Sequence, residues 1–261
     1  MRLFSAIAVA AFLAAGSAQA HFQLLYTPEV NLEAPAEIGM KLIFWHPMEN
    51  GHAMDMGTPE QFFYAFKDTK VDLLGGLKPV TFHAAHNDAK AFETKVSIKR
   101  NGDYVFALVP APYYEKSEDI YIQQIAKTYL NKGGIPTGWE APLGLKTEIL
   151  PLNKPNNIIA GSTFSGVLLS EGKPVPGAEI EIEYIAAEPD MAKNAPGAVS
   201  ASPLPGGAVV AITDERGVFT FGIPKAGFWG FAALGAGPDK TFQGKELSQD
   251  AVIWIRAYDF K

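Results

Sequence analysis

The chain has 261 residues, carries 22 Lys and Arg against 28 Asp and Glu for a net charge of −6 with His neutral, and contains no cysteine. The acidic balance and the lack of any basic cluster exclude nucleic acid as a partner, because phosphate recognition needs cations that displace counterions. Without cysteine there are no disulfides, so stability must come from packed cores, and any metal must be held by imidazole, amine, carboxylate, carbonyl or thioether.

In chain order, residues 1–20 read as a cleaved signal peptide: Arg2, an apolar run from Leu3 to Ala15, then Gly16, Ser17 and the small-x-small ending Ala18-Gln19-Ala20. That run is shorter than the ~20 apolar residues a membrane helix needs, and no later stretch reaches this length without charges or prolines. The mature chain is therefore expected to be soluble, without a membrane span, and exported to the periplasm.

Strand signals follow throughout, with short β-branched or alternating apolar runs between Gly, Pro, Asn and Asp clusters. The first strand is expected at Phe22–Tyr26, and further ones over 40–45, 61–66, 92–99 and 104–109. Residues 120–130, IYIQQIAKTYL, fit a helix almost as well as a strand and are assigned to strand. The Pro/Asn-rich connector after Leu152 marks a boundary. Beyond it come a strand over 162–169, a turn through Gly172 to Gly177, and an alternation from Glu179 to Glu183 that predicts a sheet with one wet face. A Pro/Ala/Gly/Ser-rich stretch from Ala186 to Gly207 reads as a long mobile loop, and strands over 213–234 and 251–260 complete the chain. The expected fold class is all-β, with two immunoglobulin-like β-sandwich domains over residues 21–152 and 158–261.

The chemistry concentrates near the processed end. Cleavage after Ala20 would make His21 the first residue, and its α-amine and ring Nδ1 can then close a six-membered chelate on one ion. With pKa values of roughly 8 and 6.5, both nitrogens lose their protons to a divalent metal at little cost near neutral pH. The segment HPMENGHAMDM supplies His46 and His52, the thioethers of Met48, Met54 and Met56, and the carboxylates of Glu49 and Asp55. A third nitrogen from His46 or His52 would build the planar or tetragonal set that nickel(II) and copper(II) favour, provided the first strand pairs near this loop. Gly51 and Gly57 are expected to allow the turns that bring the ligands back to one point. Plainer roles stand beside these: a strand-capping His46, a solvated His52, and methionines that fill core gaps. His83 and His86, in HAAHND, read as a surface turn. No nucleophile elbow, phosphate-cradling loop or dinucleotide fingerprint occurs, so the chain is not expected to be an enzyme.

Two resemblances add to this reading. GKPVPGAEIEIE (172–183) and TDERGVFTF (213–221), with Pro224 and Gly227, resemble the immunoglobulin-like modules related to transthyretin and the carboxypeptidase regulatory domain. Over nearly its full length the chain resembles bacterial periplasmic components of nickel or cobalt uptake systems that accompany energy-coupling-factor type transporters. HFQLLYTP, FWHPMENGHAMDMGTPEQF, DLLGGLKPVTF, YVFALVPAPYYEKSEDIYIQQIAK, GWEAPLGLKTEILPL and GFWGFAALGAG carry that likeness. It implies that His21, His46 and the His52 to Met56 region, Met54 included, hold nickel or cobalt, with copper or zinc as alternatives, for delivery to a membrane transporter. Some relatives end in a membrane-spanning tail. Here a β-like strand precedes Lys261, which implies delivery by diffusion. A copper chaperone, a copper-dependent oxidase and a structural or adhesion protein are the competing functions.

Overall fold

A computed structural model describes residues 21–204 and 208–260, and the expected leader, residues 1–20, lies outside the described residues. Apart from one 3-10 turn at Leu74–Gly76, every regular element among these residues is a β-strand. The fold is all-β, as expected.

The architecture has three layers. A twelve-stranded sheet forms the middle, its path running through Val209–Ile212, Glu179–Tyr184, Gly227–Ala233, Lys245–Tyr258, Ile120–Lys132, Gly102–Val109, Gln61–Phe66 and Thr69–Asp72. One face carries a five-stranded sheet of Phe22–Tyr26, Ala36–Trp45, Asp88–Ile98 and Lys78–His83, with Ala53–Met54 on the end of Ala36–Trp45. The other face carries the sheet of Thr147–Pro151, Thr163–Ser170 and Lys173–Pro174, joined by Val218–Gly222. Strand alternation sorts the side chains of the middle sheet between these layers. Ile125, Phe231 and Ile253 face a core shared with Ile149, Phe164 and Leu168, whereas Ala126, Ala232, Val252 and Trp254 face one shared with Phe22, Leu24 and Trp45.

Residues 21–152 and 158–261 thus share one sheet. The join is the parallel pairing of Ile120–Lys132 with Lys245–Tyr258, in register from Tyr121 opposite Leu247 to Lys127 opposite Ile253. Covered on both faces, Ile120–Lys132 is buried from Ile122 onward. A strand in that position has no wet side to impose a two-residue period, which explains why its sequence resembles a helix as much as a strand.

Two expectations are corrected. The alternation at Glu179–Tyr184 does not mark a wet face, because Glu181 and Glu183 are buried. Burial first, then the charges of Glu179 and Asp250, push the Glu181 carboxyl up to about 7. Burial also drives Glu183 well above the carboxylate range, against the pull of the Met48 N–H, which donates to its Oε2 at 3.1 Å. The segment after Tyr184 does not run as one long loop over residues 185–196, although residues 197–204 form no regular element. Ile185, Ala186 and Ala187 are buried, Pro189–Asp190 pairs with Ala195–Pro196, and the Asn194 carbonyl accepts the His83 N–H at 2.7 Å. Its small residues make it thin enough to lie as a strap against the sheets.

Candidate metal centre

The site follows from strand register. Phe22 pairs with Trp45 in one antiparallel ladder, and Trp45 pairs with Ala53 in the next. One step along both ladders sets His21 opposite His46 and His46 opposite His52. Directly opposed residues project to the same face about 5 Å apart, so three imidazoles form a row across the strand ends. Their ring centroids are 4.5 Å apart for His21 and His46, 4.5 Å for His46 and His52, and 6.3 Å for His21 and His52. One potential ligand atom from each lies within 4.8 Å of the other two. His46 is 2% exposed and His52 is exposed, so the row runs from a buried centre to solvent.

Local chemistry holds each member. The chain reverses at 47–50, where the Gly51 N–H donates to the His46 carbonyl at 3.0 Å and the Trp45 indole N–H to the Gly51 carbonyl at 2.8 Å. The left-handed residue of this turn is Asn50, at φ 49°, not a glycine. Asn tolerates that region through its short polar side chain. Gly57 answers a different need, since a Cβ there would lie 2.8 Å from the Ala111 Cβ. Beyond His52, the Asn87 side chain imitates a strand partner, accepting from the Ala53 N–H at 2.9 Å and donating to its carbonyl at 2.7 Å.

Contacts from the middle sheet fix His21. The Gln124 amide donates to the His21 carbonyl at 2.7 Å and accepts from the Gln23 N–H at 2.7 Å. From the strand Tyr113–Glu115, the Glu115 Oε2 lies 3.3 Å from the His21 Nε2. Burial alone would raise the Glu115 carboxyl, but the Ser117 hydroxyl and N–H, together with His21, outweigh it and hold the group below the usual range. Phe44 and Tyr113 wall the ring, with centroids 5.5 and 6.4 Å away.

Met54 and Met56 are buried in an apolar core with Phe44, Phe62, Phe92 and Phe106, and the Met56 sulfur accepts the Gln23 side-chain amide at 3.5 Å. Met48 is half-buried against the opposite core. His83 stands apart from the three-histidine row in an exposed pair with Asp88 at 2.8 Å, and His86 is exposed. Three converging imidazoles suit a late first-row divalent ion. Gln124, Glu115 and Asn87 are the supporting residues that the sequence reading missed. Only for Gln124 was there a hint, as half of a polar pair inside an apolar run.

The family model described as a domain of unknown function (DUF4198) matches residues 18–237. That description names no metal, transporter or transthyretin-like module. No curated protein matches the chain. Among solved structures it is similar to the Yersinia pseudotuberculosis adhesin InvE, at 13% identity over 91% of this chain and 61% of that one, with TM-score 0.22. It is also similar to dimeric latent PorU from Porphyromonas gingivalis, at 10% identity over 91% and 20%, TM-score 0.23. A third likeness is to the fibronectin(III)-like modules of Clostridium thermocellum CbhA, at 9% identity over 90% and 95%, TM-score 0.21. The chain spans less than two thirds of the InvE and PorU chains.

Proposed function

Because the chain belongs to the DUF4198 family, whose description states no activity, we propose a function from its own residues, with the cargo and the transporter taken from the resemblance to nickel or cobalt uptake components. It is a periplasmic divalent-metal-binding protein that supplies nickel or cobalt to a membrane transporter of the energy-coupling-factor type. The observation that carries this reading is the row of His21, His46 and His52, with a ligand atom from each within 4.8 Å of the others. The ring of His46 is withdrawn from water while His52 remains accessible, an arrangement that admits an ion from one side and desolvates it on the other. The cleavage signal ending at Ala20 adds the second element. Once it is processed, the α-amine and Nδ1 of His21 supply two adjacent nitrogens, and His46 and His52 extend the set. With Met54 and Met56 engaged in the core, the donors are nitrogens rather than thioethers, which favours borderline divalent ions over copper(I).

The test is metal titration of protein exported and processed in the cell, with mass spectrometry of its N-terminus, using nickel, cobalt, copper and zinc. Micromolar or tighter binding of nickel or cobalt, equivalent to about 8 kcal/mol, is expected. It should be lost in His46→Ala and weakened by one extra residue ahead of His21. No binding tighter than millimolar, about 4 kcal/mol, would remove the metal reading and leave a structural or adhesion role. Preference for copper, with oxygen consumed in the presence of a reductant, would replace the carrier with an oxidase.

A further inference from the structure

We propose that Glu115 is the positioning residue of this centre. Its carboxylate, 3.3 Å from the Nε2 of His21, favours the proton on that nitrogen and so selects the tautomer whose Nδ1 binds the ion together with the α-amine. This rests on the metal-binding reading above. The selection is a matter of ring closure: counted through Cα, Cβ and Cγ, only Nδ1 shares a six-membered chelate with the α-nitrogen, whereas Nε2 lies on the far edge of the imidazole. A neutral imidazole carries one proton, and a proton on Nε2 leaves the lone pair on Nδ1, where the chelate needs it.

The surroundings of His21 are built for that assignment. Its Nε2 lies 3.3 Å from the Glu115 Oε2, and the two side chains are only 15% and 14% exposed. At such burial the attraction between the carboxylate and a proton on Nε2 is weakly screened. The carboxylate is itself oriented, since its other oxygen, Oε1, accepts the Ser117 N–H at 2.9 Å and the Ser117 hydroxyl at 2.5 Å. One oxygen is thus committed to its own turn and the other lies against the histidine ring. Gln124, on the neighbouring strand, holds the His21 carbonyl, so the middle sheet fixes both the backbone and the ring edge of this residue. His46 and His52 arrive from the five-stranded sheet. The centre therefore bridges two layers, with its ligands aligned on one and the orientation of His21 set by the other. Carboxylates that hold the second nitrogen of a metal-bound histidine fix both tautomer and ring angle, and their loss commonly lowers metal affinity 10- to 100-fold.

The experiment uses the full chain processed at His21, as wild type, Glu115→Ala and Glu115→Gln, with two readouts. Nitrogen-15 NMR of the His21 ring without metal reports the tautomer, and nickel titration reports the affinity. The Nε2–H form is expected to predominate in the wild type and to give way to a mixture in Glu115→Ala, with affinity falling roughly 10- to 100-fold. Glu115→Gln, whose amide keeps an acceptor oxygen for that proton, should restore the tautomer and most of the affinity. A wild type that binds nickel beside a Glu115→Ala variant with unchanged tautomer and affinity would overturn the assignment while leaving the metal centre standing. A Gln variant with the wild-type tautomer but the affinity of the Ala variant would also overturn it, by making the carboxylate a direct ligand. Failure of the wild type to bind any of the four ions would instead sink the metal reading itself.

Discussion

Substituting Glu181 by Gln should make the protein more stable, and only above mildly acidic pH. Glu181 is 4% exposed, and its Oε2 meets no hydrogen-bond donor among the described residues. Burial, reinforced by the charges of Glu179 and Asp250, moves its carboxyl from an ordinary 4.5 to about 7. The native state therefore holds this proton at pH values where the unfolded chain has released it. Stability contributed by the protonated group is present below pH 4.5 and declines as pH rises toward 7, where ionisation in the native state begins to catch up. Beyond that the ionised carboxylate costs the fold about 3 kcal/mol, at 1.36 kcal/mol for each pH unit of displacement. Gln keeps the shape and carries no charge. Its melting temperature should match the wild type at pH 4 and exceed it by roughly 6 to 12 °C at pH 8, using 2 to 4 °C per kcal/mol for a domain of this size. Glu183 and Asp250 are also raised by burial, so both proteins lose stability with rising pH, and the diagnostic quantity is the gap between their thermal melts. A gap that stays constant from pH 4 to pH 8, or is absent at pH 8, refutes the reasoning.

Three further outcomes follow from the packing. Gln124→Ala leaves the His21 carbonyl and the Gln23 N–H without their shared partner and should cost about 2 to 4 kcal/mol. Hydrogen exchange would show faster opening of Phe22–Tyr26, and unchanged protection there would argue against Gln124 as the anchor. Lys127→Met removes the cation from a buried pair with Glu148 at 2.8 Å and should cost about 3 to 5 kcal/mol in urea unfolding. The double variant with Glu148→Gln should regain part of this, and a double variant less stable than Lys127→Met would contradict the account. Gly57→Ala places a methyl 2.8 Å from the Ala111 Cβ, an overpacking worth about 1 to 3 kcal/mol. A thermal melt equal to wild type would show that the strands part there without strain.

Much of the local structure was legible. Phe22–Tyr26 and Gln61–Phe66 stand where alternation and flanking turn residues placed them, because strand formation there agrees with the nearest neighbours in sequence. The candidate ligands were legible for a similar reason: His21 and His46 each lie one residue beyond a strand end, and a short turn returns the chain to His52. What misled was the Glu179–Glu183 alternation. A period of two states that the faces of a strand differ, but not that the polar face meets water, and here Glu181 and Glu183 are buried, with the Met48 N–H of the turn at 47–50 donating to Glu183.

Composition and local pattern were enough for the all-β class, the positions of most strands and the concentration of candidate ligands at His21 and over residues 46–56, since each depends on residues close in sequence, whereas the convergence of the three histidines waited on the pairing of Phe22–Tyr26 with Ala36–Trp45. Tertiary structure alone decided that both halves of the chain build one middle sheet, that Met54 and Met56 pack into the core, and that Glu115 and Gln124 meet His21. Gln124 reaches it across 103 residues of chain. Such contacts are set by the parallel docking of Ile120–Lys132 on Lys245–Tyr258 and by the layers on either side, and pairings over that separation leave no periodic trace in the residues that make them.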